Sequence, residues 1–447
     1  MKTNLNYSKA SIILGAGKGT RMKSSKPKVL HEVAGLPMIA HVMAACGDIN
    51  PDHMVVVVGP DMDDLSQAVK PAKTVVQTEQ LGTGHAALCA QTILKDFDGY
   101  VYVLLGDTPL IREDSLESLH HAAIETGLAV LGFEATDPTG YGRLIGDDDY
   151  IDAIVEDKDC DDNQRQVNLC NSGAFCVDGK RLFKWLSSIE NKNKQAEYYL
   201  TDLVEVAKKD GVRCGYILAD EDEVMGVNTR QHLATAEALM QDTLRYYAMD
   251  QGVTMIDPET VLLSADVEFG HDIVIEPNVY IGAGVRVGNN TRIRAFSYIE
   301  GTEIGKDCEI GPFARLRPKS SLGNKVTVGN FIEVNRSHLQ DGAKSKHVSY
   351  LGDVTIGKKS NIGAGTVFAN YDGFFKHDSR VGENVFIGSN STIVSPITIG
   401  KDAIIAAGST ITDNVPTNAM GMARQKQMTK DGYAKTYRTL KQAEKDK

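Results

Sequence analysis

From Val267 onward, a small or aliphatic residue returns every six positions: Val267, Ile273, Val279 and Val285, then Val354 and Ser360, then Ser379, Val385, Ser391, Ile397, Ala403 and Ser409. Two residues after many of these stands an aliphatic residue followed by glycine, as in Ile281-Gly282, Val287-Gly288, Ile356-Gly357, Ile387-Gly388 and Ile399-Gly400. A six-residue period belongs to neither an amphipathic helix nor an alternating strand, and repeats of fixed length build solenoids. Each sixth residue can point into a narrow prism whose faces are short parallel strands, with glycine expected at corners that other residues resist. The period breaks at 336–349 and 370–377, and insertions in a solenoid mark its binding face.

The first 230 residues have a different texture. Short apolar runs at 10–14, 54–58, 74–77, 100–105 and 128–133 read as strands, and helical patterns at 37–46, 84–94 and 114–126 alternate with them. That alternation predicts an α/β, Rossmann-like layer with a mostly parallel sheet, whose ligands bind beyond the carboxyl ends of the strands. Residues 231–250 place Leu233, Ala236, Leu239, Met240 and Leu244 at helical spacing without glycine or proline, and read as a linker helix. The predicted organisation is 1–230, a linker helix over 231–250, the solenoid over 251–425 and a basic tail over 426–447. From Arg424 to Lys447 eight Lys/Arg face three acids, without the apolar period of a buried helix. Such a tail reads as a solvated end able to meet a phosphorylated ligand.

At the carboxyl end of the first predicted strand, Ser11-Ile-Ile-Leu14, comes Gly15-Ala-Gly-Lys-Gly-Thr-Arg-Met22 and then Pro27-Lys28. Small residues let backbone N–H groups approach phosphate oxygens, and cations add fixed charge. Lys18 is followed by glycine and not by Ser or Thr, which excludes a Walker loop; Thr20 stands where a dinucleotide fingerprint needs glycine or alanine. Between Lys18 and Lys28 lie five cations and no acid, in a chain of net charge −11. That local reversal of sign suits an anionic ligand, while the acidic whole excludes general nucleic-acid binding. Seven cysteines without a Cys-x-x-Cys pair argue against a zinc knuckle or a disulfide framework. Without an apolar run of membrane length or a signal peptide, no membrane span and a cytoplasmic location are expected.

The glycine loop resembles the sugar-nucleotidyltransferase signature, and the solenoid resembles the left-handed parallel β-helix of hexapeptide-repeat acyltransferases. In this order, with a helix between, the chain is similar throughout to the family of bifunctional N-acetylglucosamine-1-phosphate uridyltransferases and glucosamine-1-phosphate acetyltransferases. Further motifs carry the resemblance: Gln77-x-Glu-Gln-Leu-Gly-Thr-Gly84, Gly106-Asp107, Thr139-Gly-Tyr-Gly-Arg143, Glu156-x-Lys158, Asn171-Ser-Gly173, Gly226-Val-Asn228, His347-x-x-Tyr350 and Asn370-Tyr-Asp-Gly373.

The resemblance implies two reactions that end in UDP-N-acetylglucosamine. In one, UTP and N-acetylglucosamine 1-phosphate give the product and pyrophosphate. Arg21 and Lys28 would hold phosphates, and Asp107 and Asn228 would hold Mg²⁺. Leu14, Gly15, Gly17 and Gly82 would shape the nucleotide site, Gln77, Gln80 and Thr83 would meet uracil, and Gly142, Glu156 and Asn171 the sugar. In the other, His347 would take a proton from the amine of glucosamine 1-phosphate as it attacks acetyl-CoA. Arg317, Tyr350, Asn361 and Lys376 would hold the sugar phosphate, and Ala364, Asn370, Tyr371, Ser389, Ala407 and Arg424 would line the acetyl-CoA groove. The family's groove lies between subunits, so a homotrimer is expected. One departure stands out: the family has lysine two residues beyond the acid at Glu333, whereas this chain has Asn335 followed by Arg336. An amide brings no charge, so phosphate binding there depends on Arg336 turning inward. Two other readings stay open: a uridyltransferase whose β-helix is only a trimerisation scaffold, and a regulatory module that binds nucleotide without turnover.

Overall fold

The computed structural model describes residues 7–147 and 149–447. The chain divides into two compact units, one running to Tyr246 and taking in Leu263–Ala265, the other holding Tyr247–Leu262 and everything from Asp266 on.

The first unit is built on a sheet with strand order Lys73–Val76, His53–Val58, Lys9–Leu14, Tyr100–Leu105, Leu169–Asp178, Leu128–Glu134, Cys214–Leu218, Ile151–Val155, Arg143–Gly146. Its first four strands are mutually parallel, with Leu14 opposite both Val57 and Leu105. Side chains alternate across it: Ile12, Val57 and Val103 join one core, Ile13, Val56 and Leu104 the other. The expected strands and helices are all present, except that the helix expected over 84–94 is broken into Thr83–Cys89 and Gln91–Leu94. The strand Leu169–Asp178 runs antiparallel between two parallel neighbours and shifts register between Asn171 and Phe175. Polar Asn171-Ser172-Gly173 interrupts its apolar run, which hides the strand in the sequence. The helix Arg230–Asp250 is no free linker over its first half, because Ala236 is buried with Val33, Met38 and Val227, and Leu233, Met240 and Leu244 pack against them.

His120 lies in this unit between the rings of Tyr100 and Tyr102 and is 6% exposed, its Nε2 without a partner among the described residues. Burial, helped by the charges of Lys9 and His121, pushes its pKa down from 6.5 to about 4. The unfolded chain therefore takes up a proton that the fold refuses, and stability falls as pH drops through the window between those values. The Asp202 carboxyl, raised by burial to about 6, works in the opposite sense, so a variant isolates the effect. His120→Phe should flatten the fall in melting temperature between pH 7 and pH 5; an unchanged slope would refute the assignment.

The second unit is a left-handed parallel β-helix. One row of strands runs Glu268–Phe269, Arg286–Val287, Thr302–Ile304, Ser320–Leu322, His338–Leu339, Val354–Ile356, Ser379–Val381, Ile397–Ile399. In this row most partners one coil apart are 17 or 18 residues apart, as in Arg286 opposite Glu303 and Glu303 opposite Ser321. At one coil the separation is 25, as in Thr355 opposite Arg380 and Asn361 opposite Phe386. That coil holds the insertion at 370–377. The break expected at 336–349 is absent: the strands His338–Leu339 and Lys344–Gly352 continue the coil, with Ser337, Ala343, Ser345 and Ser349 buried. Small polar residues turned inward had disguised the period.

The glycines also act differently from expectation. The left-handed corners are taken mostly by Asp, Asn, Lys and Phe, while glycines such as Gly288 and Gly357 have ordinary φ. They are needed because a Cβ at Gly288 would lie 2.7 Å from the backbone of Gly305, and one at Gly357 2.3 Å from that of Gly382. Close stacking of coils, not backbone freedom, selects glycine there. The tail, read as a simple solvated end, contains a helix, Tyr433–Lys445, exposed along its length in the single chain.

Candidate active sites

Three loops leave the carboxyl edge of the first sheet together. Gly15 N–H donates to Val57 O at 2.8 Å, Gly106 N–H to Leu14 O at 3.0 Å and Gln77 N–H to Val58 O at 2.8 Å, so each loop is pinned to a neighbouring strand. They enclose a cavity of about 490 Å³ lined by Leu14, Gly17, Lys28, Gln77, Gln80, Gly82, Thr83 and Asp107 among the expected residues, and by Ala16, Lys18 and Glu197 besides. Gln77 Nε2 donates to Gly82 O at 3.0 Å and Gln80 Nε2 to Ala16 O, which joins the second loop to itself and to the glycine loop. Gly82 has φ +118°, and a Cβ on it would lie 2.5 Å from Tyr198 O, so this turn admits only glycine.

Asp107 and Asn228 are brought together through the backbone, because Val227 N–H donates to Asp107 O at 2.9 Å. Their side chains converge on one point, which the Lys28 ammonium marks: it donates to Asp107 Oδ2 and, at 3.1 Å, to Asn228 Oδ1. Two hard oxygen donors, one a carboxylate only 8% exposed, fit Mg²⁺, which takes few protein ligands and completes its shell with phosphate and water. Arg21 is exposed on the turn Thr20–Met22 and does not line the cavity; Gly15 lies behind its wall, buried.

Gly142, Glu156 and Asn171 form a second group. Asn171 N–H donates to Gly142 O at 2.8 Å, and a Cβ on Gly142 would come within 3.6 Å of Glu156 Oε1. The Thr201 hydroxyl donates to Glu156 at 3.1 Å while the preceding Leu200 N–H donates to Thr83 Oγ1 at 3.0 Å, so adjacent residues tie this group to the cavity wall. Burial pushes the Glu156 carboxyl up, reinforced by Asp159 and Asp157 and opposed by Thr201. Sequence reasoning missed Glu197; its only signal is the acidic, aromatic run Glu197-Tyr-Tyr-Leu-Thr-Asp202, which has no period.

In the β-helix the strands Thr327–Asn335 and Lys344–Gly352 pair in one register from Thr327 opposite Lys344 to Asn335 opposite Gly352, with Gly329 and Phe331 left out of the ladder. This opposes Asn330 to His347 and Glu333 to Tyr350. His347 is exposed, and its Nδ1 meets Asn330 Oδ1 at 3.0 Å. The residues after Asn330 and His347 are left-handed corners, Phe331 and Val348, and the same corner recurs at Gly365, Asn390 and Gly408. Backbone bonds stack these corners: Gly365 N–H to Val348 O, Asn390 N–H to Ala364 O and Gly408 N–H to Ser389 O, at 2.6 to 2.8 Å. Hence Asn330, His347, Ala364, Ser389 and Ala407 form one row along the solenoid, a coil apart, with His347 followed by small residues. The repeat hides this row because it crosses the 25-residue coil.

Arg317 Nη1 donates to Glu333 Oε1 at 2.9 Å on the same face. Asn335, 5% exposed, donates to Tyr350 Oη at 3.2 Å and accepts from Arg336 Nη1 at 3.2 Å. Arg336 grips Asp353 with two prongs, Nε to Oδ1 at 2.6 Å and Nη2 to Oδ2 at 2.7 Å, and Asn370 Nδ2 donates to the same carboxylate. Burial would raise the Asp353 carboxyl, yet the bonds from Arg336 and Asn370 hold it below its usual range. The cation missing at Asn335 is present one residue later, but its charge is paired with Asp353, and only the neutral Asn335 amide meets Tyr350. Tyr371 and Lys376 are exposed and bridge each other across the insertion, whose turn is closed by Asp372 accepting from Phe374 and Phe375 N–H. Asn361 opens the strand Asn361–Ile362, and Arg424 is exposed beyond the final strand, Met420–Gly421. The described structure sets no bond between Arg424 and the row at His347.

Residues 11–165 match the MobA-like NTP transferase domain, and 266–301 and 378–413 match the bacterial transferase hexapeptide family. The two hexapeptide stretches flank the long strand pair and the insertion. Curated relatives span the whole chain. The bifunctional protein GlmU of Paramagnetospirillum magneticum is 46% identical over 441 residues, 98% of this chain and 98% of that protein. That of Bradyrhizobium diazoefficiens is 47% identical over 440 residues, 97% of each. That of Zymomonas mobilis subsp. mobilis is 45% identical over 441 residues, 97% of this chain and 98% of that protein. With both transferase domains in sequence order and relatives of this identity from end to end, the chain belongs to the family of bifunctional GlmU proteins.

Proposed function

We propose that the chain makes UDP-N-acetylglucosamine by two transfers, each carried by one of the sites described. The observation that carries the reading is the convergence of Lys28, Asp107 and Asn228 at the wall of a cavity built from the glycine loop and the Gln77 loop. The sugar phosphate is an ionised nucleophile and needs no base, so displacement at the α-phosphorus of UTP asks only for alignment and neutralisation of charge. Lys28 supplies charge, joined by Arg21 from its exposed turn, while Gln77, Gln80 and Thr83 seat the uracil. Gly142, Glu156 and Asn171 hold the sugar. Asp107 and Asn228 would hold Mg²⁺, which when bound neutralises phosphate oxygens.

In the β-helix His347 Nε2 accepts the proton of the sugar amine. The proton leaves as the neutral amine nitrogen bonds to the acetyl carbon and becomes acidic; the carbon–sulfur bond then breaks, and the departing thiolate takes that proton from the imidazolium, leaving the amide and CoA. The row of small residues Ala364, Ser389 and Ala407 gives acetyl-CoA a track leading to His347, with Tyr371, Asn370 and Arg424 as further contacts. Arg317, Tyr350, Asn361 and Lys376 hold the sugar phosphate, and Arg336, paired with Asp353, does not replace the absent lysine. Hexapeptide solenoids associate, and exposed Phe296, Phe313 and Phe331, stacked at 5.0 and 5.1 Å, give this one an apolar edge that supports a homotrimer. Seven free cysteines support a reducing, cytoplasmic setting, and no helix among the described residues is long and apolar enough to cross a membrane.

The purified protein should release CoA when given glucosamine 1-phosphate and acetyl-CoA, and pyrophosphate when given N-acetylglucosamine 1-phosphate and UTP. Pyrophosphate release without CoA release would instead support the scaffold reading, and release of neither the binding-module reading.

A further inference from the structure

We propose that Asn330 is the positioning residue that fixes the tautomer of His347. This rests on His347 being the base of acetyl transfer. A neutral imidazole carries one N–H, and only the other nitrogen can take a proton. Asn330 Oδ1, 3.0 Å from Nδ1, is an acceptor, so the ring hydrogen sits on Nδ1 and the lone pair on Nε2.

The fold enforces the pairing. Most strands of this solenoid are two or three residues long, but Thr327–Asn335 and Lys344–Gly352 have nine residues each and keep the same register on both sides of the corner, with Asn330 paired to His347. Gly329 makes this possible: a Cβ there would lie 1.9 Å from Lys346 O, so any other residue would push the strands apart just before Asn330 and His347. The row continues past His347 as Ala364, Ser389 and Ala407, whose side chains are too small to reach the ring. Asn330 is therefore the member of its own row able to orient the imidazole.

The test compares Asn330→Leu, which removes the acceptor, with Asn330→Asp, which keeps it. Asn330→Leu should lower kcat for acetyl transfer about 10- to 100-fold, the usual cost of losing a group that orients a functional histidine. KM for glucosamine 1-phosphate and for acetyl-CoA should move by less than about twofold, because a residue that acts through His347 alone is not asked to bind either substrate. Asn330→Asp should restore most of kcat. The ¹⁵N spectrum of the wild-type ring should show the hydrogen on Nδ1, and that of Asn330→Leu a mixture of tautomers. Undiminished kcat in Asn330→Leu, or a wild-type ring protonated on Nε2, would overturn the proposal, and the wild-type spectrum decides even if a variant fails to fold. Acetyl transfer that survives His347→Ala would show that the reading beneath it has failed, whatever the ring spectrum shows.

Discussion

Replacing Asp107 with alanine is expected to lower pyrophosphate release by more than a hundredfold while acetyl transfer stays within about twofold of wild type. Groups that merely support a metal ligand cost about 10- to 100-fold when lost, and Asp107 is placed to be the ligand itself. The substitution also strips the Lys28 ammonium of its carboxylate at a site where both side chains are largely buried, so this variant should melt at a lower temperature as well. Asp107→Asn separates the two effects. It keeps the shape and a hydrogen-bond acceptor for Lys28 but removes the charge, and should lose nearly as much activity with a smaller loss of stability. Asn228 cannot compensate, since an amide oxygen carries no net charge. Full uridylyl transfer in Asp107→Asn would mean that the carboxylate is structural.

The second large effect is at His347. A positioned general base contributes about 10² to 10⁴ in rate, so His347→Ala should lose that much acetyl transfer. The side chain is exposed and its partner is one amide, so little stability should go with it. Supplied with N-acetylglucosamine 1-phosphate, the variant should release pyrophosphate normally. Equal CoA release by His347→Ala and wild type would remove the imidazole from the chemistry.

What the sequence made legible is what local chemistry dictates. Glycines at 15, 17 and 82, the amides at 77 and 80 and the acid at 107 sit in strand-end loops, and parallel pairing of the strands before them was enough to bring those loops to one edge. The meeting of Asp107 with Asn228 was legible only through family resemblance, because it depends on a single backbone bond from Val227 across more than a hundred residues. The apparent break at 336–349 misled because a prism interior accepts serine as readily as valine when the hydroxyl finds a carbonyl, as Ser337 does with Asn335 O and Leu351 O at 3.1 Å. The orientation of Arg336 was undecidable from composition: it is set by Asp353, a buried acid 17 residues later. Glu197 went unseen because its segment is held by loop contacts, such as Tyr198 N–H to Leu81 O at 2.8 Å, that leave no pattern in the chain.

The most direct measurement is a paired assay of CoA and pyrophosphate release on wild type, Asp107→Asn and His347→Ala, each supplied with all the substrates for both reactions, including N-acetylglucosamine 1-phosphate. The account predicts reciprocal loss: Asp107→Asn releases CoA without pyrophosphate, and His347→Ala releases pyrophosphate without CoA. One variant silencing both reactions, or neither variant silencing either, would contradict two separate catalytic centres on one polypeptide.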